Sequence, residues 1–344
     1  MAGEYRFSFG PWNIHAGADA FGPAVRGEFS FADKLGFYKK LGFDGVQFHD
    51  DDAVPEMEKL SPAQIVDKAK AIKKQLDEHG LKAEFVAPRL WEDPRTIDGG
   101  YTANDPACRK YAIERSKRAI DIAQALGIDL IVLWLAREGT YIREAKDSRK
   151  AVDHLVEAIN TMLDYDNKIR LAIEPKPNEP MDHAFIPTVG HAIGLAYLCR
   201  DPKRVGVNIE SAHTILAGLD PSDEMGYALA HDKLWTVHLN DQNGLKFDED
   251  KTFGAVDLRR AFNQVRILER YNYGTRGEYV GLDIKVMRTQ KKEVSTKHLA
   301  HSRRIFLQMV DLVRSLDEKK MDELIRQRDY EELEMMIIDH LLSK

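Results

Sequence analysis

Eight short apolar runs alternate with eight longer amphipathic stretches along this chain, with no Ser/Gly linker, low-complexity block or sequence repeat between them. The runs are RFSFGPWNI (6–14), GVQFH (45–49), KAEFVAP (82–88), IDLIVLWLA (128–136), IRLAIEP (169–175), VGVNIE (205–210), LWTVHLN (234–240) and EYVGLDIKV (278–286). Helical patterns cover about 30–42, 61–79, 105–126, 145–165, 189–200, 222–231, 257–272 and 296–319. The stretch 61–79 is punctuated at both ends: Ser61 can cap it, Pro62 occupies the first helical position and Gly80 stops it. Strand-then-helix alternation implies a parallel sheet, and eight units imply a closed (β/α)8 TIM barrel of the α/β class. An open doubly wound sheet is the competing arrangement, but no G-x-G-x-x-G turn follows the first run. A length of 344 residues suits one such barrel over 1–320 with a C-terminal helical tail over 321–344.

The tail, MDELIRQRDYEELEMMIIDHLLSK, reads as one or two helices with Leu333, Met336, Ile337, His340 and Leu341 on one face. That stripe either packs as a cap on the barrel or serves as an oligomerisation arm. A net charge of −6 argues against nucleic acid or an anionic membrane as partner. Cys108 and Cys199 both fall within helical patterns, which indicates no disulfide framework. No segment approaches the ~18–20 apolar residues of a membrane span, and MAGEYRFSFG has no basic region followed by an apolar stretch. The expectation is a cytoplasmic protein.

In a (β/α)8 barrel the C-terminal ends of the strands build the active-site face. The last four strands end with Glu174, Glu210, His238 and Asp283. His213 follows Glu210 by three residues, so both can approach one point. Asp248 and Asp250 alternate around Glu249 in the loop after the seventh strand. Five carboxylates and two imidazoles at one mouth would repel or stay protonated unless cations join them. Oxygen-rich ligation with one or two His favours Mg²⁺, Mn²⁺ or Co²⁺ over a Cys-rich structural zinc site.

Two other segments point to the same mouth. RLAIEPKPNEP (170–180) sets Glu174 and Lys176 between prolines directly after a buried strand. FHDDD (48–52) places His49 after the second strand, where Asp52 can turn back to one ring nitrogen and make the other a general acid/base. Asp50 and Asp51 read as a solvated acidic turn. Trp12, Trp91 and Trp134 at strand ends would together form a dry, flat wall suited to the apolar face of a sugar.

Over almost its whole length the chain resembles the xylose isomerases, in their shorter actinobacterial-type class. The resemblance is carried by FHDDD, DGGYTAND, WLAREG, IEPKPNEPMDHAFIPTVGHA, VGVNIESAH, LNDQNGLKFDEDKTFGAVDL and LDIKVMRT, in that order, and by the closing DHLL. It implies two divalent cations per subunit. Glu174, Glu210, Asp283 and the residue at 238 would hold the first, which chelates two substrate hydroxyls. Glu210, His213, Asp248 and Asp250 would hold the second. His49, oriented by Asp52, would open the sugar ring, and Lys176 would bind the carbonyl oxygen. Phe21, in DAFG, matches a residue that reaches into a neighbour's active site in a homodimer or homotetramer. The segment joining barrel to tail is shorter than in that class, where a long helical arm embraces a neighbour.

Several positions depart from the pattern. His238 stands where the family has an aspartate ligand and Thr236 where it has a histidine; Ala87 replaces a threonine, Arg89 an asparagine, and Leu135–Ala136 two glycines. The order Glu, acid, His, acid over the last four strands is similar to rhamnose isomerases and ketose 3-epimerases of the same superfamily. The resemblance therefore implies a metal-dependent aldose–ketose isomerase acting by 1,2-hydride shift on a sugar other than, or in addition to, D-xylose. The alternatives are an epimerase or lyase acting on a sugar derivative or glycoside, and a non-catalytic sugar-binding relative.

Overall fold

The computed structural model describes residues 4–245 and 247–343. Eight parallel strands close into a barrel in sequential order: Phe7–Phe9, Gly45–His49, Lys82–Ala87, Leu130–Trp134, Arg170–Glu174, Val205–Glu210, Leu234–Leu239 and Val280–Leu282. Pairing of Phe7 with Val280 joins the first strand to the last. The strand residues alternate as a barrel requires, except where the register shifts opposite Val46–Phe48 and Val207–Asn208. Phe7, Phe9, Val46, Phe48, Ile131, Leu133, Leu171, Ile173, Val237 and Leu239 face the helices in the main core, while Phe85, Ala87, Leu130, Val132 and Ala172 form a second, inner cluster.

The helices begin and end where local chemistry dictates. Ser61 and Gln64 form a reciprocal capping box at Pro62–Glu78, and Gly80 leaves that helix at φ +68°. Ser30 and Asp33 make the same arrangement at Phe31–Leu41. The first strand is shorter than its apolar run, because Gly10-Pro11 turns the chain into a 3-10 helix, Pro11–Asn13, that carries Trp12 to the mouth. The eighth is shorter as well: residues after Leu282 leave the ladder, and Ile284 N–H donates instead to Asn13 Oδ1 at 2.7 Å.

The last barrel helix stops at Arg314 rather than continuing to 319, since Asp317 caps a new helix, Glu318–Gln327. Tyr330–Leu342 follows. Its stripe faces inward: Ile337 is buried, Leu333, Met336 and Leu341 pack on the core, and His340 Nε2 meets Leu312 O at 2.8 Å. Within this chain the stripe caps the barrel. Both cysteines are free. Among the described residues no helix is long and apolar enough to cross a membrane.

Candidate active site

Strand register levels the polar residues at one end of the barrel. Trp134 pairs with Glu174, and Glu210 pairs with His238, so their side chains emerge at one height. Asp283 follows from just past the eighth strand, where Trp12 Nε1 donates to its Oδ1 at 2.9 Å. His213 comes from a short helix, Ser211–Leu216, begun directly after Glu210. All seven predicted ligand residues converge.

Three overlapping sets have donor atoms within 4.8 Å of one another: Glu174, Glu210 and His213; Glu210, His238 and Asp283; and Glu210, Asp248 and Asp250. Glu210 belongs to every one. His238 Nδ1 lies 3.5 Å from Glu174, 3.9 Å from Glu210 and 4.0 Å from Asp283. His213 Nε2 lies 3.3 Å from both Glu210 and Asp248.

Among the cluster's own groups, opposite charges hold some in the ionised form, while burial and like charges push others toward the protonated form. Burial opposes the charge on Glu174, but His238 beside it overrides this and holds the carboxyl at about 2. In return burial pulls His238 down, while Glu174 carries it up to about 9. Burial likewise opposes a charge on Asp248, and Lys176 pulls that carboxyl well below the usual range. Glu210 and Asp250 are pushed well above it, by burial and then by neighbouring aspartates. Among the described residues, Asp248 Oδ1, His213 Nδ1 and Asn208 Oδ1 are buried without hydrogen-bond partners. Buried carboxylates whose pKa values neighbouring acids push up, beside unpartnered oxygen and imidazole donors, are what hard divalent cations would relieve. The donor set fits them.

Lys176 is buried and donates to Asp248 Oδ2 at 2.9 Å and Glu179 Oε2 at 3.1 Å, its ammonium 5.3 Å from the Trp134 ring centre. Burial disfavours its charge, but Asp248 and Glu179 raise its pKa above the ordinary value. It stays cationic, and an ammonium has three N–H groups, so one remains for a ligand oxygen. Glu179 also accepts from Asp248 N at 3.0 Å, which ties EPKPNEP to the Asp248 loop.

On the other side of the mouth, His49 Nδ1 lies 2.8 Å from Asp52 Oδ2. Arg89 Nη2 sits 2.6 Å from the same nitrogen and donates to Asp52 Oδ1 at 2.9 Å. Burial opposes the Asp52 charge, yet His49 and Arg89 hold its carboxyl at about 2. The aromatic residues form a continuous wall: Trp12 stacks on His49 at 4.0 Å, Trp91 meets His49 at 5.0 Å and Trp134 at 4.5 Å, and Trp134 lies parallel to His213. Phe21 is not part of it. That ring is 78% exposed on the outer rim, against Phe247 at 5.7 Å.

One expectation is overturned. Asp50 is no solvated turn residue: it is fully buried, and Arg115 grips it through Nε at 2.7 Å and Nη2 at 2.8 Å. Two of the motifs also prove to be scaffolding for each other. Glu138, in WLAREG, accepts from the backbone N–H groups of Gly100, Tyr101 and Thr102 in DGGYTAND.

A sequence profile of the xylose isomerase-like TIM barrel family matches residues 35–290. The chain belongs to that family. It is also 36% identical to a xylose isomerase of Thermus thermophilus over 296 residues, 84% of this chain and 75% of that one. A D-tagatose 3-epimerase-like protein is similar in fold, at TM-score 0.64 and 16% identity, covering 89% of this chain and 98% of that one. A 3-keto-D-glucoside 4-epimerase from E. coli superimposes with TM-score 0.64 and 15% identity, over 88% of this chain and 100% of that one. At these identities the two structures are similar in fold alone.

Reading strand ends alone passed over Asn208 and Asn240. Asn208 Nδ2 donates to Glu174 Oε2 at 2.7 Å and meets His238 Nδ1 at 3.1 Å. Asn240 Nδ2 reaches Glu210 Oε1 at 2.9 Å and Asp250 Oδ1 at 3.1 Å. Each lies two residues from a predicted ligand, Glu210 or His238, and side-chain alternation along a strand was the signal that could have found them. Lys285, whose Nζ is 2.5 Å from Asp250 Oδ2, was also passed over.

Proposed function

We propose that this protein is a divalent-metal-dependent aldose–ketose isomerase acting on a sugar other than, or in addition to, D-xylose. The observation that carries this reading is Glu210, common to three ligand sets beside a lysine already held in place by Asp248. Glu174, Glu210, His238 and Asp283 would hold one cation, and Glu210, His213, Asp248 and Asp250 a second. Mg²⁺, Mn²⁺ or Co²⁺ in these places would supply positive charge to the oxygens on the two carbons between which hydrogen moves.

The chain's own residues account for the rest. His49, paired with Asp52, exchanges a proton with the ring oxygen as the cyclic sugar opens. The free N–H of Lys176 then faces the carbonyl oxygen and offsets the negative charge that develops there. Hydrogen on C2 passes with its electron pair to C1; the O2 proton is lost and one is gained at O1. Trp12, Trp91 and Trp134 exclude water from the apolar face of the sugar, which favours direct transfer over exchange with solvent. The exposed Phe21 would be covered by a neighbouring copy in a homodimer or homotetramer.

Substrate choice departs from xylose at the wall beyond His49. Ala87 offers no hydroxyl there, and Arg89 is engaged by Asp51 at 2.8 Å and Asp52 at 2.9 Å, so its charge is already matched. A neutral, hydroxylated sugar suits that wall better than an anionic one. His238 in place of an aspartate favours the second reading, an epimerase on the same scaffold.

The test is NMR in D₂O with chelator-stripped protein, reloaded separately with Mg²⁺, Mn²⁺ and Co²⁺ and given pentoses, hexoses and deoxyhexoses. Metal-dependent aldose–ketose conversion without deuterium uptake supports the isomerase. Conversion confined to ketose epimers, with deuterium gained at the inverted carbon, replaces it with the epimerase.

A further inference from the structure

The three aspartates after the second strand hold one arginine from three sides. The backbone N–H of Arg89 donates to Asp50 Oδ1 at 3.2 Å, its Nε lies 2.8 Å from Asp51 Oδ1, and its Nη2 donates to Asp52 Oδ1 at 2.9 Å. Its Nη1 donates to Glu92 Oε1 at 3.3 Å. Nη2 carries two hydrogens, and its second neighbour is His49 Nδ1 at 2.6 Å. Trp12, stacked on the imidazole at 4.0 Å, and Trp91, packed across it at 5.0 Å, restrain the ring in that orientation. Nδ1 therefore has two neighbours of opposite kind. Asp52 Oδ2, at 2.8 Å, accepts; the guanidinium can only donate. A ring nitrogen offers either a proton or a lone pair, so it satisfies one of them. Asp52 Oδ2 has another donor in the backbone N–H of His49, at 3.3 Å. The second hydrogen of Nη2 has no other acceptor among the described residues. A proton on Nδ1 would strand that donor, which costs more than leaving a carboxylate oxygen with one partner.

We propose that Arg89 is a positioning residue that keeps Nδ1 of His49 bare and so presents an Nε2–H to the ring oxygen of the cyclic sugar. The proposal rests on the reading of His49 as the residue that meets that oxygen. A ring oxygen has lone pairs and no hydrogen, so an N–H can bind it and a bare nitrogen cannot. Nε2 makes no hydrogen bond among the described residues, which leaves it for the sugar. Arg89 takes the place at Nδ1 expected of Asp52, and the asparagine of the family pattern would bring no charge there. Asp52 acts on the imidazole through the guanidinium it holds.

Two measurements test this on the full chain. Long-range ¹H–¹⁵N spectra of ¹⁵N-histidine-labelled protein, free of metal and sugar and with the ring neutral, report the tautomer of His49, identified by its loss in His49→Gln. The expected result is a proton on Nε2 in the wild type and on Nδ1 in Arg89→Met, which keeps side-chain length but removes the donors. A proton on Nδ1 in the wild type, or one tautomer in both proteins, overturns the proposal. Turnover is then measured with the sugar that the wild type converts fastest. Arg89→Met should slow it about 100-fold. In a His49→Gln background the same change should cost less than about twofold, which a merely structural role of Arg89 would not produce. Unchanged turnover in Arg89→Met, or an equal cost in both backgrounds, overturns the proposal and leaves the isomerase reading intact. Absence of turnover by the wild type, with the expected spectra, overturns the isomerase reading and supports Arg89 as the partner of Nδ1. If Arg89→Met fails to fold, the wild-type spectra decide.

Discussion

Asp50 and Glu210 each stand just beyond or at the end of a barrel strand, and both are closed off from solvent. Asp50 receives both arms of Arg115 and the backbone N–H of Arg89, so its charge is matched where it lies. Glu210 receives one N–H from Asn240 and faces Asp250, Asp248, Asp283 and Glu174, which with burial push its pKa far up. Glu138 and Glu84 resemble Asp50 in this respect, each surrounded by donors. Burial of a carboxylate therefore does not mark a functional site in this barrel. What marks it is a buried carboxylate to which the chain has supplied other acids in place of donors.

The contrast can be broken at either end. Glu210→Gln removes the residue common to all three ligand sets, and should abolish metal-dependent turnover and weaken cation binding by more than the roughly 10–100-fold typical of a supporting residue. Calorimetric titration measures this, and the metal-free variant should melt no lower than the wild type, because a repelled acid has been neutralised. Asp50→Asn should do the reverse. It removes the buried carboxylate that takes both arms of Arg115 and leaves only Asp51 Oδ2, at 3.3 Å, to face the guanidinium, at a cost of about 3 kcal/mol in urea unfolding, while the folded fraction binds cations as before. A normal melting curve for Asp50→Asn would erase the distinction.

The metal-free protein should also show the repulsion in its pH dependence. His238 has an ordinary value of 6.5 and about 9 in the fold, so the folded state holds the extra proton between them. Its contribution to stability is full below 6.5 and is lost as pH rises through about 9. Glu210 and Asp250, both raised well above the ordinary carboxylate range, act in the same direction, their contribution falling from that range upward. Thermal melting of chelator-treated protein should fall as pH climbs from 6.5 to 9, and saturating Mg²⁺ should flatten that slope. The mildest change is His238→Asp. It restores a carboxylate among the ligands and should retain binding of both cations while shifting the order of preference among Mg²⁺, Mn²⁺ and Co²⁺, read by competition titration. Complete loss of affinity would show that the imidazole is indispensable.

Much of this was legible in the chain itself. Apolar runs of period two, amphipathic stretches of helical period and capping residues such as Ser61 are local signals, and they laid out eight strands and eight barrel helices in order. Because strand ends in this fold share one face, Glu174, Glu210, His238 and Asp283 could be placed at a common mouth without coordinates. Element ends were less accessible: Pro11 cut the first strand short, and Asp317 ended a helical pattern that ran on to 319.

What only the tertiary structure decided is how each charge is balanced. Asp50 finds Arg115 across 65 residues of sequence, and Glu84 finds Thr236 across 152. The inward turn of the tail's apolar stripe and the outward position of Phe21 were decided in the same way. Periodicity and caps depend on neighbours within a turn or a pleat, so the sequence by itself determined the barrel and the face that carries its acids. Whether a buried carboxylate meets a guanidinium or another carboxylate depends on which distant strands and helices close around it, and that is a property of the assembled barrel.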